Sequence, residues 1–205
     1  MTAFITLSSK SRPDGLARRF AATLLFFAFA LFSLAAGAGE IKVKQAELAA
    51  GEEAWLLNAE FTIALGQHLE EVVDRGVPLY FTAEFALTKP RWYWADEHVA
   101  GKTQTWRLAY NALTRQYRLS SGALHQSFAT LDEALGVLAR LRDWAVADKA
   151  ALKPGEACSA ALRLKLDLTQ LPKPFQIDAI GNKDWNIKAE IRRWSFTPPA
   201  EAAPK

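Results

Sequence analysis

Beyond residue 40, apolar and polar residues alternate with a period of two through most of the chain. This is the pattern of strands with one buried and one wet face. Trp55, Leu57, Ala59, Phe61, Ile63 and Leu65 line one side of residues 53–65, with Asn58, Glu60 and Thr62 opposite. Val77, Leu79, Phe81, Ala83, Phe85 and Leu87 repeat the pattern against Tyr80, Thr82 and Glu84, and Trp106, Leu108 and Tyr110 alternate with Thr105, Arg107 and Ala109. The clearest run is Leu162, Leu164, Leu166 and Leu168, with Arg163, Lys165 and Asp167 between. Strands that are apolar on one face and charged on the other belong to antiparallel sheets.

Two runs change parity partway. Ile41 and Val43 give way to Ala46 and Leu48, and Trp185, Ile187, Ala189 and Ile191 give way to Trp194 and Phe196. Each change must absorb one extra residue, and a β-bulge near Arg192-Arg193 would absorb the second. Pro90, Pro172 and Pro174 sit between runs or at their ends, where no ladder donor is lost.

Two segments carry a helical period. Residues 67–75 place Leu69, Val72 and Val73 on one side and end at Gly76, a residue suited to the position after a helix. Thr130-Leu131-Asp132-Glu133 has the form of a capping box. Leu131, Leu135, Leu138, Leu141 and Ala145 then predict one helix running to about Ala147. No strand–helix–strand repeat calls for a parallel sheet. The expectation is a mainly β, α+β domain: an antiparallel β-sandwich with two helices.

The N-terminus departs from this pattern. Lys10, Arg12, Arg18 and Arg19 stand against Asp14 alone, Phe20–Ala36 carries no charge, and Ala36-Gly37-Ala38 offers small residues at a cleavage position. That order reads as an export signal over residues 1–38. The alternative is a retained anchor, since Ala21–Ala38 approaches the length of a spanning helix. Small residues crowd its end and no aromatic or basic belt follows, which favours cleavage. Residues 39–197 then form one β-rich domain, and the Pro/Ala tail 198–205 has nothing to bury and is expected to be disordered. The implied location is the periplasm, or the periplasmic side of the inner membrane if the segment stays.

Removing the signal changes the charge. The chain has 25 basic and 22 acidic residues, of which the first 38 hold four and one, so the remainder balances at 21 against 21. A neutral domain has no electrostatic footprint for nucleic acid. Cys158 is the sole cysteine, so no internal disulfide can form, and its parity with the leucine run predicts a small buried hydrophobe.

Reactive chemistry is sparse. His68, His98 and His125 lack partners at metal-ligand spacing, and Asp96-Glu97-His98 reads more economically as part of a solvated hairpin turn than as an ion site. Ser120-Ser121-Gly122 is turn chemistry rather than a nucleophile elbow. Glu52-Glu53 and Glu70-Glu71 are adjacent pairs that cannot face each other. Neither a catalytic residue nor a metal or cofactor is expected. The seven tryptophans are more suggestive. Arg91, Trp92 and Trp94 could form a platform for a sugar ring or a partner chain, because Trp and Arg dominate contact hot spots. The plainer reading, which we favour, buries both tryptophans in the core.

Residues 120–144 (SSGALHQSFATLDEALGVLARLRDW), 171–176 (LPKPFQ) and 183–190 (KDWNIKAE) resemble a family of exported proteins from proteobacteria, each with a signal-like N-terminus and one domain of unknown function. The resemblance spans about residues 41–196. It implies no activity and no catalytic residues. It does imply an association with membrane sensor kinases of the nitrogen-regulation type. The functional expectation is therefore a non-catalytic envelope protein that binds a membrane or envelope partner. The alternatives are a glycan or small-ligand module built on Trp92 and Trp94, and a hydrolase whose residues meet only in the fold.

Overall fold

A computed structural model describes residues 39–199 except 92 and 94. Residues 1–38, read above as an export signal, Trp92, Trp94 and residues 200–205 therefore lie outside the described residues.

Among the described residues, ten strands form two sheets. They are β1 (Glu40–Ala50), β2 (Ala54–Ala64), β3 (Leu79–Lys89), β4 (Glu97–Asn111), β5 (Gln116–Ser121), β6 (Leu124–Phe128), β7 (Arg140–Asp148), β8 (Cys158–Leu166), β9 (Lys188–Ala189) and β10 (Arg192–Phe196). One sheet has the order β7-β2-β1-β9 and the other β10-β8-β3-β4-β5-β6. All pairings are antiparallel except the short β1–β9 ladder. The fold is mainly β, α+β and sandwich-like, as the alternation predicts.

The core lies between the sheets. Ile41, Trp55, Leu57 and Phe61 of the smaller sheet meet Phe81, Phe85, Leu87, Leu162 and Leu164 of the larger one, all buried. Trp55 meets Phe196 edge-on across the gap at 5.0 Å. Cys158 is buried in the same layer. Burial pushes its thiol pKa up, and the neighbouring Glu156 adds to this.

Among the described residues, three α-helices connect these strands: α1 (Gln67–Asp74), α2 (Leu131–Leu138) and α3 (Lys173–Gly181). α1 buries Leu69, Val72 and Val73 and is followed by Gly76 in the left-handed region at φ 87°. The capping box of α2 forms: Thr130 Oγ1 accepts from the Glu133 amide at 3.3 Å, and Glu133 Oε2 accepts from the Ala129 amide at 3.1 Å.

Five sequence expectations need correction. The predicted 130–147 helix stops at Leu138, and Arg140–Asp148 pairs with β2 as a strand. Pairing with β2 overrides the helical leucine spacing there, aided by Trp144 and Val146, which suit a strand. The chain adapts with two register shifts and with Asp143 at φ 47°. A third helix, α3, was not foreseen. The parity change near Arg192 is no bulge: β9 belongs to the small sheet and β10 to the large one, so the chain crosses between sheets there. Finally, the hairpin turn expected around residues 94–101 is shorter, because Glu97–Gly101 pairs with β3 and lengthens β4. The parity change in β1, by contrast, is a register shift between Val43 and Gln45. Pro198, placed in the tail by its sequence, is buried, and its carbonyl accepts from the Gly155 amide at 3.0 Å.

Candidate functional site

β4 is the longest strand and has two unlike halves. Glu97–Leu108 pairs with β3, with a register shift between Leu87 and Thr88 that passes over Val99. On the other side, β5 covers only Arg107–Asn111. The β5–β6 hairpin ends at Gly122, with φ 57°, and Ser121 Oγ lies 3.3 Å from Gln104 Nε2. Among the described residues, no strand pairs with the outer edge of Glu97–Gln104.

Below this open edge runs a groove of about 310 Å³ between the two sheets. Its floor and far wall come from small residues: Ala54 of β2, Ala145 and Ala147 of β7, and Ala151 of the following 3-10 turn. Val99, Ala100 and Gly101 form the β4 wall, and Lys102 and Asp148 put one charge of each sign at the rim. α2 packs against β5, β6 and β7.

The turn between β3 and β4 holds the residues proposed from sequence. Arg91 donates from its guanidinium to Glu97 Oε2, so its charge is paired at the start of β4. Tyr93, between the two tryptophans, lies in a turn rather than a strand and is 65% exposed. Trp92 and Trp94 lie outside the described residues. Among the described residues, no three His, Cys, Asp or Glu side chains are grouped to hold a metal ion.

Three other polar groupings stand on the fold. Glu84 on the outer face of the larger sheet accepts from Arg163 and pairs with Lys165 at 2.6 Å. Partial burial pushes its carboxyl up, but these two cations outweigh it and hold the pKa below the ordinary value. The Tyr117 hydroxyl donates to Asp74 Oδ1 at 2.5 Å, and burial together with that carboxylate pushes its pKa up to about 12. Trp185 sits in a 3-10 turn (Lys183–Trp185), donating from Nε1 to Asp178 Oδ2 at 2.7 Å. Its ring meets Phe175 at 6.0 Å and His68 edge-on at 5.2 Å. Two of the three segments that carry the family resemblance thus converge on one buried indole, which makes them structural.

The geometry defines a sandwich-like α+β domain with a side groove beside the N-terminal half of β4. The chain belongs to the family described as a domain of unknown function, DUF4390, whose match covers residues 38–195. No curated protein and no solved structure matches it. Among the described residues, no helix is long and apolar enough to cross a membrane.

Proposed function

We propose that this chain is a non-catalytic binding or accessory protein of the cell envelope. In this reading the N-terminal segment exports it, the signal is cleaved, and the domain engages a membrane or envelope protein in the periplasm. The observation that carries the binding role is the groove beside the open half of β4, a concave surface of small residues with Lys102 and Asp148 at its rim, framed by a sheet edge. The family resemblance suggests a membrane sensor kinase system as the partner class. In-cell crosslinking followed by mass spectrometry tests the reading. Recovery of an envelope protein attached to the domain is expected, and recovery of the chain alone overturns it.

A second reading rests on the β3–β4 turn, where Tyr93 is exposed beside Arg91. An aromatic turn of this kind suits stacking on a sugar ring. Tryptophan fluorescence that fails to respond to a panel of cell-wall fragments removes that option.

A further inference from the structure

The two faces of the larger sheet carry different chemistry. Phe81, Phe85, Leu108, Leu162 and Leu164 of its inner face are buried in the core. The residues that alternate with them point outward, and the ladders set cations among them. Arg193 of β10, Arg163 and Lys165 of β8, Arg107 of β4 and Arg118 of β5 all occupy outer positions. Their neighbours on that face are small or hydroxyl residues such as Ala86, Thr103 and Ser120. Glu84 is the one carboxylate on these outer positions, so five cations against one acid leave a surplus of four. Asp167, just past the end of β8, lowers it to three. Residues 39–205 balance at 21 against 21, so the surplus belongs to this face and not to the chain. Glu84 is already shared between Arg163 and Lys165. Arg107, Arg118 and Arg193 are exposed, and among the described residues no carboxylate pairs with them.

The spacing of these cations restricts what they can hold. Arg118 and Arg193 are four strand steps apart, about 19 Å at the usual spacing, so they cannot converge on one small anion. Tyr80 is the one Phe, Tyr or Trp on the outer positions of these ladders. That leaves no row of rings for stacking nucleobases, and no aromatic centre of the kind protein interfaces use. Strand twist of roughly 20° per step keeps the five cations out of a single plane. A layer of mobile anions can gather under each of them, which a rigid partner cannot do.

We infer that the outer face of the larger sheet docks peripherally on a bilayer surface rich in anionic phospholipids. Arg107, Arg118 and Arg193 supply the unpaired charge, and the headgroup phosphates complement it. Each cation held near such a surface adds its own electrostatic attraction. A second copy of the chain does not fit this face, because two like-charged faces repel. The role uses a different surface from the groove and stands whether or not the groove takes a partner.

The test uses the full chain and sedimentation with vesicles of phosphatidylcholine, with and without phosphatidylglycerol. The apolar run near the N-terminus can enter either kind, so the preference for the anionic vesicles is the quantity read. A clear preference is expected, fading as salt rises well above about 0.15 M. Arg107→Gln, Arg118→Gln and Arg193→Gln should each weaken anionic binding about fivefold, and all three together on the order of a hundredfold. The urea midpoint should stay near wild type, since these side chains are exposed. Replacing the same three arginines by lysine should preserve the preference, because charge suffices. If the glutamine triple fails to fold, the orientation on the vesicle decides. A fluorophore on Thr103→Cys should be quenched by nitroxide-labelled headgroups, and one on Thr62→Cys, exposed on the outer face of the smaller sheet, should not. Equal binding to both vesicle kinds, a preference that survives the glutamine triple, or loss of it in the lysine triple overturns the proposal. So does quenching at Thr62 rather than Thr103. Binding to polyglutamate or to an oligonucleotide with no preference for anionic vesicles also overturns it and gives the face to another polyanion.

Discussion

Trp185→Ala removes the largest fully buried side chain, 1% exposed, from the junction of α1, α3 and β9. Truncating a buried aromatic to alanine costs about 3–5 kcal/mol through lost transfer energy and the cavity left behind. The ring fills space between His68 and Phe175, on two different helices, so collapse around the void is restricted and a value near 4 kcal/mol is expected. The indole bond to Asp178 adds little beyond this. Asp178 is exposed and water can replace its partner, so Asp178→Ala alone should cost only about 1 kcal/mol. Trp185→Phe keeps most of the packing and should fall between, at roughly 2 kcal/mol. Urea denaturation read by far-UV circular dichroism measures all three, with the slope against urea unchanged so that the midpoint shift reports stability. Against a total of about 5–15 kcal/mol, the alanine variant should lower the melting temperature by roughly 8–16 °C. A cost below about 1 kcal/mol for Trp185→Ala, or equal costs for the tryptophan and aspartate variants, refutes the view that this indole clamps the C-terminal segments.

Other expectations follow from the charged and buried groups. Tyr117, raised to about 12, favours the folded state while protonated. Its contribution is full below the ordinary phenol range and is lost as pH climbs through about 12; ultraviolet titration should show one late phenolate that disappears in Tyr117→Phe. Glu84, held low by Lys165 and Arg163, favours folding above the ordinary carboxyl range and loses that contribution as the medium acidifies. Glu84→Gln should cost roughly 1 kcal/mol at neutral pH, with the gap to wild type narrowing in acid, as measured by urea midpoints across pH. Cys158 should resist alkylation at pH 8 in the native protein and react fully only once denaturant unfolds it, as mass spectrometry will report.

Local patterning exposed much of the fold. The leucine run of β8 and the alternation of β2 and β3 are one-residue-on, one-residue-off signals that need only the strand itself. The capping box at Thr130 is equally local. What failed was decided at long range. Leu138 and Leu141 are spaced for one helix, yet the second lies on β7 because β2 offers a ladder that a helix cannot use. The shift between Ala189 and Trp194 has the signature of a bulge. Its actual cause, a change of sheet, becomes visible only once both sheets exist. The groove was hidden for the same reason, since no residue of β4 reveals that β5 stops at Ser121 and, among the described residues, leaves the outer side of Glu97–Gln104 unpaired. Arg91 had a visible partner six residues on in Glu97, but only the turn geometry brings them together.

The short ladder between β1 and β9 sets the order in which this domain can be built. Glu40 and Ile41 meet Lys188 and Ala189, and Arg192 then reaches the carbonyls of Val43 and Lys44. The first strand of the domain therefore waits for almost the last. Closing so long a loop is entropically expensive, and folding dominated by such distant contacts is slow. A chain emerging N-terminus first holds β1 and β2 as a hairpin with one flank bare until the final residues arrive. Truncation before Lys188 strips an edge strand from each sheet at once. It should leave an aggregation-prone intermediate rather than a smaller stable domain.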